Sequence, residues 1–142
     1  MIMYDDEANG YRHEILPLAH CNPVVGRAVC IAAAFHLSQR MPELRIPAES
    51  GRAAIVSKMS RTACQRDYLD DSTWATIILL IVADLVTGHE HIVTLYKMLI
   101  AFLGVRGQAQ LTSPLAEFLY YQSRLCVGLL PHFQLQQVLT TI

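Results

Sequence analysis

Read for the spacing of its apolar positions, the chain predicts helices and no convincing strand. Asn22 followed by Pro23 places a capping side chain before a residue pre-set for a first helical turn, so a helix opens there and runs to about Arg40. From Ala28 to Phe35 it carries no charge, which requires cover on several sides. Pro47 opens a second helix to about Arg66, with Ile55, Val56, Met59 and Ala63 on one stripe. Arg52, Lys58, Arg61 and Gln65 fall elsewhere, the pattern of a half-exposed helix. Asp67 to Asp71 reads as a polar connection, and Ser72 as the cap of a third helix through Val86 that Gly88 stops.

Ile92, Leu95, Tyr96, Leu99, Phe102 and Leu103 then repeat at three and four residues, predicting a fourth helix folded back on the third as a hairpin. Ser113 and Pro114 open a fifth, whose inward face is Leu115, Phe118, Leu119, Gln122, Leu125, Cys126 and Leu129. Pro131 ends it, and the tail has room for one more short turn of helix. The fold class is therefore all-α: one domain of five to six helices packed as antiparallel hairpins. Residues 1–21 form a lead-in segment, and 22–142 form the helical domain.

Length and composition agree with that reading. The chain has 142 residues, 53% of them apolar, enough for one core. Its mean hydropathy of +0.31 is high for a short soluble chain, so apolar surface is expected to be covered by a second copy, a helical partner or a small apolar metabolite. The longest apolar run, Ala75 to Ala83, is about half of the roughly 20 residues a membrane span needs. The acidic start is unlike a signal peptide, so the nucleus or cytoplasm is expected rather than secretion.

Chemistry-bearing patterns are sparse. A net charge of −1 gives no basic field for direct nucleic-acid binding. Cys21, Cys30, Cys64 and Cys126 are spaced too irregularly to build a zinc cluster and read as small hydrophobes. His89 and His91 are two apart and do not converge on a metal, and Asp5, Asp6 and Glu7 read as a solvated terminus. No phosphate loop, nucleophile elbow or zinc-protease motif is present, so no cofactor and no catalytic residue is assigned.

Three residues stand out as candidate ligand-binding positions: Asp84, Tyr96 and Gln122. Asp84 falls in the last turn of the most apolar helix, where both the macrodipole and burial disfavour an anion. It needs a partner, with Arg40, Arg106, Arg124 or a histidine as candidates. Gln122 interrupts an apolar stripe, and its amide must be satisfied there. Tyr96 shares two helices with Phe102, Phe118, Tyr120 and Tyr121, an aromatic set able to line a cavity between helices.

The stretches LPLAHCNPVVGRAVCIAAAFHLSQRMPELR, from Leu16, and STWATIILLIVADLVTGHEHIVTLYKM, from Ser72, resemble the fungal-specific transcription factor domain, the helical effector half of binuclear zinc cluster regulators. The resemblance runs from about Tyr11 through SPLAEFLYYQSRL. It implies a regulatory module for dimerisation, effector sensing or coactivator contact, with the DNA-binding half absent. The competing expectation is a small-molecule-binding protein or enzyme of fungal secondary metabolism, using Asp84, Tyr96 or His36 in a helical cavity.

Overall fold

The computed structural model describes residues 10–62, 70–87, 92–106 and 113–129, and these are helical with no strand among them. A π-helical turn, Tyr11–Ile15, runs into α1, Leu16–Cys21. There follow α2, Pro23–Leu37; a 3-10 turn, Pro42–Leu44; and α3, Arg45–Thr62. The remaining elements are α4, Asp71–Thr87; α5, Ile92–Arg106; and α6, Pro114–Leu129. The lead-in segment is thus already helical from Tyr11, and it contributes Tyr11 and Ile15 to the core.

The helix starts follow local chemistry. Asn22 Oδ1 accepts hydrogen bonds from the backbone N–H groups of Val24 and Val25 at 3.0 and 3.1 Å. Ser113 Oγ accepts from Ala116 N–H at 3.1 Å, with Pro114 as the first helical residue. Such a cap stabilises a helix by about 1 kcal/mol. At α4 the expected cap is corrected: Asp70 Oδ1, not Ser72, accepts from Thr73 N–H at 2.9 Å. α2 stops short of Arg40, because Ser38 turns its hydroxyl onto the Phe35 carbonyl and the N–H groups of Arg40 and Met41 both fold back to Leu37.

α4 is the central element. It packs against α2, α5 and α6, which accounts for a helix buried at every position from Trp74 to Asp84. α2 lies between α1, α3 and α4. Val25, Ala28, Ile31 and Phe35 form its buried face, while Cys30, Ala33 and Leu37 remain exposed. The α1–α2 approach depends on Gly26, where a Cβ would sit 3.0 Å from the Ala19 carbonyl oxygen. The α2–α3 pair is antiparallel, since Phe35 meets Arg52 near one end and Arg27 shares a cavity with Met59 and Arg61 near the other.

Along α3 the predicted stripe of Ile55, Val56 and Met59 does turn inward. Arg52, however, belongs with it: it is 2% exposed rather than on the water-facing side. Leu125 on α6 is corrected in the opposite sense and lies exposed. Among the described residues no helix is long and apolar enough to cross a membrane. The readings made on residues 1–9, 63–69, 88–91, 107–112 and 130–142, including His89, His91 and Pro131, lie outside the described residues.

Candidate functional site

The three residues singled out by sequence are each engaged with a different part of the fold. Asp84 Oδ1 lies 2.6 Å from Arg52 Nη1, and both side chains are excluded from water. Arg52 was not among the partners expected for Asp84 from the sequence. Arg52 in turn lies over the Phe35 ring, 4.3 Å from its centroid, so the cation has a carboxylate at its edge and an aromatic face beneath it.

Tyr96 donates its hydroxyl hydrogen to the backbone carbonyl of Cys126, tying the start of α5 to α6. Burial raises the Tyr96 phenol above its ordinary range, and the neighbouring Cys126 adds to the effect. Gln122 accepts from the Tyr11 hydroxyl at 3.0 Å, tying α6 to the π-helical turn. Each of the three side chains thus has a polar partner within the fold.

The aromatic set is also dispersed. Phe102 packs on Trp74 with ring centroids 5.4 Å apart, Phe118 meets Tyr11 edge-on at 5.2 Å, and Tyr121 is exposed. His36 is exposed on α2. The contacts described for Asp84, Tyr96 and Gln122 are thus with Arg52, the Cys126 carbonyl and Tyr11 respectively. Among the described residues no group of three metal-ligating side chains converges.

A cavity lies elsewhere, where sequence reasoning placed no site. α3 packs along α2, and a cleft of about 300 Å³ lies between α2, α3 and α4. Its walls are the first turns of α2 and α4 and the C-terminal half of α3. Val24, Ala54, Ile55 and Met59 supply apolar surface, and Ser72, Thr73 and Thr76 supply hydroxyls. Arg27, Lys58 and Arg61 line it with positive charge against the carboxylate of Asp70.

Thr76 Oγ1 donates to the Ser72 carbonyl at 2.8 Å, holding the α4 wall in one rotamer. The one available sequence signal was the three-residue spacing of Lys58 and Arg61, which puts both on one face of α3. That spacing fits a solvated face equally well. The cleft is lined by polar groups around an apolar floor, and its volume is at the lower end for small-molecule pockets. No family model, curated protein or solved structure matches this chain.

Proposed function

We propose that the chain is a helical regulatory module, like the effector half of fungal zinc cluster regulators, and that it receives a small-molecule effector in the cleft between α2, α3 and α4. The observation that carries this reading is the cleft itself. It has a mixed polar and apolar lining and is walled by three separate helices. A ligand bridging such walls stabilises the set of helix positions that binds it, which is the physical requirement for sensing.

The all-α architecture supports the comparison with that effector domain. The enzyme alternative gains nothing, because Asp84, Tyr96 and Gln122 are occupied with Arg52, the Cys126 carbonyl and Tyr11. A second reading, self-association, is favoured by the exposure of Leu37, Met41 and Ile46 around the α2–α3 turn.

The test is thermal unfolding of the purified chain with a panel of metabolite-sized compounds, compared with Ala54→Phe. Ala54 lines the cleft and is exposed, so a larger side chain fills the space without entering the core. Ligand at a hundredfold excess over its dissociation constant stabilises the native state by about 2.7 kcal/mol. Compounds that raise the melting temperature of the native chain are expected to lose their effect in Ala54→Phe. Equal responses in both proteins, or none in the native chain, would remove the effector reading.

A further inference from the structure

We infer that α3 is a releasable flap: it detaches from the rest of the domain as a unit while the other helices stay folded, and the Arg52–Asp84 pair is the latch that holds it closed. Release of α3 requires no ligand in the cleft. Among the described side chains of α3 only Ala48, Arg52, Ile55 and Val56 are buried, whereas α4 is buried at every position from Trp74 to Asp84. Helices in proteins are held mainly by the apolar face they pack. An element with so few buried apolar groups opens at lower cost than the whole fold does.

Ala48, Arg52, Ile55 and Val56 recur at helical spacing, so the middle of the docking stripe is a guanidinium rather than an aliphatic side chain. It meets Asp84 at 2.6 Å and lies over the Phe35 ring. Opening returns both charges to water, so the pair contributes less to docking than apolar groups of the same volume would. Closed, it is selective, since either charge left alone in the interface is strongly unfavourable. Gly51 lets α3 lie close on α2, where a Cβ would come 3.1 Å from Ile31 Cδ1. A glycine inside a helix also lowers the helix's own stability. Detachment and melting of α3 are thereby coupled.

Release uncovers Ile31 and Phe35 on α2 and the Asp84 carboxylate on α4, and it removes one wall of the cleft. The closed and released states therefore differ in what the domain presents to its surroundings. Hydrogen exchange of the full chain, read helix by helix, measures the equilibrium between them. In the native chain the α3 amides are expected to exchange together and to be at least about tenfold less protected than those of α4. Ser123→Ala should lower protection in α4 and α6 about tenfold and leave α3 unchanged, because the Trp74–Ser123 hydrogen bond is intact whether α3 is closed or released.

Asp84→Asn should lower α3 protection about a hundredfold or more, and Arg52→Met/Asp84→Leu should restore most of it. Equal protection of α3 and α4 in the native chain, or a fall in α3 matching that of α4 in Ser123→Ala, would overturn separate release. Undiminished α3 protection in Asp84→Asn would overturn the latch.

Discussion

Arg52 and Asp84 form an ion pair between α3 and α4, 2.6 Å from Nη1 to Oδ1, with side-chain exposures of 2% and 0%. α3 otherwise packs mainly on α2, so this pair is a principal direct tie from α3 to the central helix. A buried pair is weak evidence for net stability, because two charges have been taken out of water. Removing one partner is a different matter, since the other charge stays buried.

Asp84→Asn is accordingly expected to lower the free energy of unfolding by about 3–5 kcal/mol, and Arg52→Met by a similar amount. The double variant Arg52→Met/Asp84→Leu should recover most of the loss, because it leaves no orphaned charge. Urea unfolding followed by circular dichroism measures all three. A loss below about 1 kcal/mol in Asp84→Asn would contradict the account of the pair as sealed from solvent.

The indole N–H of Trp74 donates to Ser123 Oγ at 2.9 Å, and that hydroxyl donates onward to the Leu119 carbonyl at 2.7 Å. All three residues are fully buried. Ser123→Ala leaves the indole N–H without its acceptor, and a loss of about 1–3 kcal/mol is expected. Trp74 is the sole tryptophan, so its fluorescence reports the shift in the unfolding midpoint directly. An unchanged midpoint would show that the indole finds another acceptor.

Alkaline pH should destabilise the domain. Burial pushes the Cys126 thiol up from near 9 to about 11, and it raises the Tyr11 and Tyr96 phenols above their ordinary value near 10. The unfolded chain therefore releases these protons at lower pH than the native one. Stability is fully present below about pH 9 and is lost as the pH rises through about 11. Melting temperatures measured across that interval should fall steadily. In the native state at about pH 8, Cys21 and Cys30 are exposed and should react with a thiol reagent while Cys126 does not. A melting temperature flat across the interval would contradict the burial of these groups.

Much of the fold was legible because its signals are local. Asn22 with Pro23 and Ser113 with Pro114 specify helix starts within four residues of chain, and the run through Ala75 to Ala83 can only be a covered helix. Arg52 was misplaced although its spacing carried the answer. Residues 48, 52, 55, 56 and 59 follow the helical repeat, and Arg52 stands on that stripe. Its charge suggested water, and the carboxylate that overrides that suggestion is far along the chain. Gln122 was read correctly as a residue needing a partner, but Tyr11 lies 111 positions away. The cleft was hidden for a related reason: its walls come from three separate helices, a property of packing rather than of any segment.

Self-association is the final expectation. Ile46 is 77% exposed at the start of α3, and Leu37 and Met41, at 46% and 44%, precede it across the turn from α2. Single exposed apolar residues are ordinary, whereas large ones concentrated within ten residues of chain mark surface suited to burial against another molecule. Light scattering during size-exclusion chromatography is expected to show a dimer. Ile46→Glu should return it to a monomer, because it places a charge where apolar contact is required. Since Ile46 is remote from the core, the same change should alter unfolding free energy by no more than about 0.5 kcal/mol. A native chain that remains monomeric at high concentration would remove this second reading and leave the cleft as the basis for function. Dissociation accompanied by a large stability loss would instead mean that the monomer does not fold alone, and the exposed turn would then belong to an obligate core shared between two copies.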